Sequence, residues 1–296
     1  MKYLIKFTCT LCLLCFCIAK TSAQVEKNRH YNVVIGSFAY NPPAEETPQE
    51  AIGKMIKKAT RTFMTGQSLM TGKSTTHQPQ YAESVCSSIE SGFSKVRRLS
   101  VTSPMSEADT CDYFIDGVIT NITTTTRIEP NADKNKPGTT YYRADIGVGI
   151  NLKEGKTGKL FDSRQFTISD NAQGWLSSPE NAIEHALSSL TSSVASYYNY
   201  VFPLKASIIE SGEVKKDKQK TAYIDLGRTS RVNEGLRFGV FELKTIAGKE
   251  ARIEIGQVKI EEVLGDELSL VRVTKGSKEI KAALDKGSTL VISTRY

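Results

Sequence analysis

Hydrophobic and polar positions follow two different rhythms along this chain, and the change falls near Phe202-Pro203. Before it, strand-like and helix-like patterns take turns. Tyr31 to Phe38 (YNVVIGSF) is an apolar, β-branched run that reads as a buried strand. From Pro48 the residues Ile52, Met55, Ile56, Ala59 and Phe63 recur at helical spacing, and Gly66 to Gln80 reads as a Gly/Ser/Thr-rich connection. Tyr81, Val85, Ile89 and Phe93 then share the stripe of a second helix. A strand is expected near Val96 to Val101, ended by Ser103-Pro104.

The pattern is most regular between Tyr113 and Tyr200. Tyr113 to Thr126 (YFIDGVITNITTTT) predicts a long strand, and Glu129 to Thr139 a polar loop. Tyr142 to Leu152 predicts a strand with Ile146, Val148, Ile150 and Leu152 facing inward. Lys156-Thr157-Gly158-Lys159 turns the chain into Leu160 to Ile168, which completes an antiparallel meander. Ser178-Pro179 opens the last helix, with serine as N-cap and proline at the first helical position, where its missing N–H does no harm. Its apolar stripe is Ala182, Ile183, Ala186, Leu187, Leu190 and Val194. Tyr197, Tyr198 and Tyr200 cannot all face one core, which leaves at least one for a contact surface or for packing against the next domain. The fold class expected is α/β (α+β), a mixed sheet covered by helices.

Beyond Pro203 the helical periodicity nearly vanishes. Ala206 to Glu210, Thr221 to Leu226, Gly239 to Leu243, Ala251 to Val263, Glu267 to Thr274 and Thr289 to Thr294 read as short strands punctuated by glycines. Evenly spaced short strands of this kind predict a small all-β barrel-like domain. Only Glu279 to Leu284 suggests a helical turn. Gly227 and Gly235 are read as turn residues of positive φ.

The amino terminus changes the picture by giving the chain an address. Lys2 and Lys6, an apolar run from Phe7 to Ala19, and small residues at Thr21-Ser22-Ala23 form the pattern of a cleavable secretory signal, residues 1–23. That run falls short of the ~20 residues needed to span a bilayer. The domains expected are therefore 1–23, 24–202 and 203–296. Four of the six cysteines lie in the signal, and Cys86 and Cys111 remain. Two exported cysteines suggest one disulfide, with two separate buried thiols as the rival reading. The signal cysteines Cys12, Cys15 and Cys17 follow Leu11, Leu14 and Phe16, residues too bulky for lipid attachment, so a soluble or peripheral mature form is favoured.

Without Lys2, Lys6 and Lys20 the 39 basic residues become 36 against 32 acidic ones, and the formal charge falls from +7 to +4. The basic residues are dispersed apart from a short solvated run at Lys215, Lys216, Lys218 and Lys220. With no aromatic-interleaved basic stripe, nucleic acid is excluded as a partner.

In combination these segments resemble the curli production transport component (CsgG) family. YNVVIGSF stands as first strand, CDYFIDGVITNI as central strand, RADIGVGINLKEGKTGKLFDSRQF as strand, Thr-Gly turn and strand, and ENAIEHALSSLTSSVASYY as final helix. The same core is found in the lipoprotein activators of penicillin-binding proteins and in the amino-terminal domain of TolB. After it, TAYIDLGRTSRVNEGLRFGVFEL, IGQVKIEEVLGDELSLVRV and KGSTLVI resemble the carboxy-terminal domain of the flagellar assembly protein T family. The resemblance implies a non-enzymatic cell-envelope accessory protein, in the periplasm or at the outer-membrane periphery. Such a protein serves assembly, secretion or regulation of an envelope structure through contacts with envelope proteins. It also implies an alternative, a membrane-associated oligomeric channel component. Against a pore, the hairpin between 113 and 152 carries Thr123 to Thr126, Arg127, Asp133, Lys134 and Lys136 near its tip, a composition poorly suited to lipid.

Residues that could carry chemistry are few. Thr71-Gly72-Lys73-Ser74 imitates a phosphate loop, but five residues separate Gly66 from Gly72 where the motif needs four. Gly149 to Gly155-Lys156-Thr157 fails in the same way. His30, His77 and His185 lack partners at metal spacing, and His185 reads as solvated surface beside Glu184. Glu261-Glu262 and Asp112 with Asp116 read as solvated charges. The expectation is no catalytic residue, no cofactor and no metal.

Overall fold

The computed structural model describes residues 28–41, 74–102, 111–131, 133, 137–169 and 174–294. The signal, the helix expected from Pro48, Ser103-Pro104, Lys134, Lys136 and Thr71-Gly72-Lys73 lie outside these residues. The chain divides into two compact units. One comprises Asn32–Lys95 and Val101–Ala195, the other Met1–Tyr31, Val96–Ser100 and Ser196–Tyr296.

The first unit is built on a six-stranded mixed sheet. Its strands are β1 (Tyr31–Tyr40), β2 (Ser74–His77), β3 (Leu99–Thr102), β4 (Tyr113–Glu129), β5 (Thr139–Glu154) and β6 (Leu160–Ser169), in the order β3-β1-β4-β5-β6 with β2 also on β4. β1 runs parallel to β4, and β4, β5 and β6 form the expected antiparallel meander. Along β5 the even positions Ala144, Ile146, Val148, Ile150 and Leu152 are all buried, as period-two alternation requires. On β4 a bulge between Ile119 and Asn121 changes the parity, so the core face reads Ile115, Ile119 and then Ile122.

Two details of this sheet depart from the sequence reading. Ser74–His77, expected within a connection, is a strand pairing with Thr123–Thr126 of β4. β1 reaches only as far as Ile119 along β4, and the next stretch of β4 takes its backbone partners from β2 instead. Thr123, Thr124 and Thr125 are in consequence buried in mid-sheet rather than displayed at a hairpin tip. The third strand begins at Leu99, because a turn at Lys95–Arg98 occupies the start of the segment expected to be extended.

Two described helices belong with this sheet, α1 (Ala82–Ser94) and α2 (Pro179–Val201). α1 buries Val85, Ile89 and Phe93, and α2 buries Ala182, Ile183, Ala186, Leu190 and Val194. Ser178 caps α2 as its sequence implies, its Oγ accepting the Asn181 N–H at 3.2 Å. The helices touch where Gly92 leaves room: a Cβ there would lie 2.8 Å from Val194, and beside it the Thr191 hydroxyl donates to the Ser88 carbonyl at 3.0 Å. Gly92→Val should therefore wedge the pair apart and cost about 2 kcal/mol, in the range of core overpacking. Thermal unfolding of the purified variant checks this, and an unchanged midpoint would show that the close approach carries no stability.

The second unit holds a seven-stranded antiparallel sheet. Its chain order is β7 (Lys205–Ala206), β8 (Ile208–Ser211), β9 (Val214–Lys215), β10 (Lys218–Gln219), β11 (Thr221–Ile224), β12 (Arg237–Ile246), β13 (Lys249–Val263), β14 (Ser269–Lys275), α3 (Ser277–Asp285) and β15 (Leu290–Thr294). The sheet runs β7-β15-β12-β13-β14-β11-β8, while β9 and β10 form their own short ribbon. Because β7 and β8 are separated only by Ser207, the two ends of the sheet are one stretch of chain, and the barrel nearly closes. Ala206, Ile224, Phe238, Val240, Ile260 and Ile292 are among the residues that fill it. The helical turn read at Glu279–Leu284 is a nine-residue helix whose Ile280 is fully buried.

Gly235 has the expected positive φ of 90°. Gly227 does not, since its φ is −147°. It must be glycine for a different reason: a Cβ would lie 2.2 Å from the Gly265 carbonyl oxygen.

Candidate functional site

The residues that best fit a contact site converge in the first unit, on the β4–β5 pair. Arg127 stands opposite Tyr141 and Thr125 opposite Arg143, so both arginines share the sheet face turned away from Ile122 and Ala144. The segment before α2 continues the sheet by a single antiparallel bridge. Tyr142 N–H donates to the Leu176 carbonyl at 2.8 Å, and Leu176 N–H returns the bond at 2.9 Å. That register sets Trp175 beside Arg143.

The outcome is an indole flanked by two guanidinium groups. The Arg127 and Arg143 Cζ atoms lie 5.7 and 5.5 Å from the Trp175 ring centroid, within cation–π range. Each arginine also has a carboxylate neighbour: Arg127 pairs with Glu129, and Arg143 with Asp145 at 3.7 Å. The side chains of Arg127 and Glu129 remain 37% and 47% exposed. A planar apolar ring edged by hydrogen-bond donors and acceptors is a surface for recognition. It contains no nucleophile set against a base.

Trp175 was missed by the sequence reading, although a signal was there. It is the one tryptophan of the chain, in a short segment just before the N-cap Ser178, where no core periodicity claims it.

The residues singled out from sequence do not come together. Cys86 and Cys111 are both thiols, not a disulfide, with Cys86 half-buried on α1 and Cys111 buried before β4. Burial pushes the Cys86 thiol above its usual range and the Glu83 carboxylate adds to this, which disfavours the reactive thiolate. Asp112 accepts the Asn32 N–H at 2.9 Å, and Asp116 accepts from Asn151 at 3.1 Å and Lys153 at 2.5 Å, so both carboxylates tie strands together. Glu261 pairs with Arg272 on the neighbouring strand. His185 is half-buried rather than solvated. Among the described residues no group of three or more His, Cys, Asp or Glu is placed to hold a metal. No described helix is long and apolar enough to cross a membrane.

One histidine in the second unit has an electrostatic consequence. His30 Nε2 lies 3.0 Å from the Thr229 carbonyl oxygen, and burial, then Arg231, lower the imidazole pKa from its usual 6.5, with Arg98 adding to them. The unfolded chain then takes up this proton more readily than the folded one. His30 contributes stability that is complete above about pH 7 and declines as the pH falls through the unfolded value of ~6.5. His30→Gln should flatten the acid limb of a plot of Tm against pH. An unaltered slope between about pH 7 and 5 would contradict this.

No family model matches the chain, and no curated protein matches it. Solved structures do show a likeness. The PelC dodecamer from Paraburkholderia phytofirmans is 15% identical, the match covering 57% of this chain and 88% of that one, with a TM-score of 0.30. Lipoprotein GNA1162 from Neisseria meningitidis is 8% identical over 56% of this chain and 99% of that one, TM-score 0.21. The LpoB C-terminal domain from Salmonella enterica is 9% identical over 50% and 90%, TM-score 0.16. At these scores the likenesses carry no functional argument, and the CsgG-like reading rests on the sequence segments themselves.

Proposed function

We propose that this chain is an exported cell-envelope accessory protein, working in the periplasm or at the outer-membrane periphery through protein–protein contacts and without catalysis. The CsgG-like segments and the amino-terminal signal pattern support the envelope address. The observation that carries the contact reading is Trp175 between Arg127 and Arg143, a grouping of the residue types that dominate binding energy at protein interfaces. The carboxylates of Glu129 and Asp145 at its margin fix which way a partner's charges must point. The Asp112, Asp116 and Glu261 carboxylates are spent on tying strands together, which supports a role without chemistry.

In-cell cross-linking followed by identification of neighbours tests this reading. Wild-type protein should be recovered with an envelope protein, and the yield of that adduct should fall when Arg127 and Arg143 are both changed to alanine. Recovery of only the uncross-linked chain would overturn the contact role, and turnover of a substrate by the purified protein would overturn the non-catalytic one.

A further inference from the structure

The hairpin of β12 and β13 outruns the rest of the barrel sheet. β15 pairs with β12 along residues 238–242 and β14 with β13 along 257–263, so beyond them the two strands pair with each other alone, out to the turn at Ala247-Gly248. The turn has φ of 52° and 76°, the left-handed pair of a two-residue hairpin loop. Residues 244–250 are exposed, as are Arg252, Ile253 and Glu254. A two-stranded ribbon is marginal in water by itself, and among the described residues no third strand lies on the outer edge of β13 over 249–254. An open edge of this kind is a template for a further strand.

The direction of its hydrogen-bonding groups is fixed. Leu243 N–H turns away from β13 and donates to the Thr289 carbonyl at 3.0 Å, so Leu243 and the Arg252 opposite it are a non-hydrogen-bonded pair. The N–H and C=O of Arg252, and of Glu250 and Glu254 two residues to either side, therefore point to the open edge, and the three side chains share one face. Charges of a single sign would repel a second copy of this edge. Here they alternate in sign, and among the described residues neither Glu250 nor Arg252 is ion-paired.

Antiparallel pairing of two such edges must match these outward-pointing residues with one another. A two-fold axis at Glu250, Arg252 or Glu254 sets like charges opposite each other. An axis at Ile253 runs across the bulge at Ile255 and puts Lys249 of the second copy opposite Gln257, a place that Lys275 of β14 already holds. An axis at Ala251 avoids both faults. Glu250 of each copy then meets Arg252 of the other, Ala251 meets its counterpart, and the stem of Lys249 covers Ile253, which is 37% exposed in the single chain. We infer that two copies of this chain pair along β13 about Ala251, joining their hairpins into one four-stranded sheet and forming a symmetric homodimer. About five residues a side is far below the ~20–30 of a standard interface, so the dimer is reversible and concentration-dependent.

Sedimentation equilibrium of the purified mature protein tests this. Wild type should pass from monomer to dimer between micromolar and millimolar concentration. Glu250→Lys and Arg252→Glu each turn both ion pairs into like-charge pairs and should weaken association at least about tenfold, with unchanged unfolding midpoints. Mixed in equal amounts, the two variants should recover the dimer, because the introduced lysine faces the introduced glutamate while native Arg252 faces native Glu250. Ala251→Cys should form a disulfide between copies on mild oxidation, since paired Cα atoms there lie ~4.5 Å apart, and Ile253→Cys, set opposite Lys249, should not. Wild type that stays monomeric at millimolar concentration would overturn the proposal. So would single variants that associate as wild type does, a mixture that stays monomeric, or equal cross-linking from positions 251 and 253.

Discussion

Gly276→Ala should lower the unfolding midpoint of the second unit by on the order of 10–20 °C, the largest effect expected of a methyl group added at any of the described glycines. Two independent penalties meet at this position. The backbone is left-handed, at φ 73°, which costs an L residue roughly 1 kcal/mol or more. The added Cβ would also fall 1.9 Å from the Ile255 carbonyl oxygen and 2.6 Å from the Gly256 Cα. Neither neighbour is a flexible side chain that can swing away. Relief requires the start of α3 to lift from β13, and Ile280, fully buried in the barrel core, lifts with it. Partial exposure of such a residue adds about 2 kcal/mol or more. Gly287→Ala separates the two penalties. Its φ is 68° and nothing lies within 4 Å of the new Cβ, so only the conformational part, about 1 kcal/mol, should appear. Equal midpoints for the two variants would show that the contact between α3 and β13 is not what closes this end of the barrel.

Trp175→Ala should weaken partner binding by roughly 30-fold or more, the loss of about 2 kcal/mol expected at an interface hot spot. Both guanidinium groups lie within cation–π range of the ring, and its removal takes away one of the contacts that hold these two long side chains beside their carboxylate neighbours. Rotamer entropy must then be supplied on binding, at about 0.5–1.5 kcal/mol for each. The bridge that positions Trp175 uses the backbone of Leu176 and Tyr142, so the fold survives the substitution. Trp175→Phe keeps a ring with a weaker quadrupole attraction and should recover part of the affinity. If Trp175→Ala lowers the unfolding midpoint as much as it lowers binding, the ring is a structural brace instead.

The parts of this fold that the sequence disclosed are those fixed by local period. Alternation placed Ile146 through Leu152 on the buried face of β5, and Ser178-Pro179 marked the start of α2. Short strands between glycines gave the barrel its outline. What escaped was set by register. β2 has no apolar rhythm because Ser74–His77 is held by backbone pairing to β4, and no side chain announces that. The bulge after Ile119 reverses which residues of β4 face the core, something alternation cannot foresee. Gly227 was legible as glycine but not for its reason, because the carbonyl that excludes a Cβ belongs to Gly265 on a distant turn. The Trp175 site escaped in the same way. Arg127, Arg143 and Trp175 are brought together only by the β4–β5 register and by one bridge to Leu176.

A photoreactive residue at position 141, beside the Trp175 site on β5, tests the central claim most directly. Irradiation of living cells should convert the protein into a discrete adduct of higher mass containing an envelope protein. The same residue at 163, on β6, should give none. No adduct from position 141, or identical products from both positions, would contradict the view that this protein acts by contact at the Trp175 site.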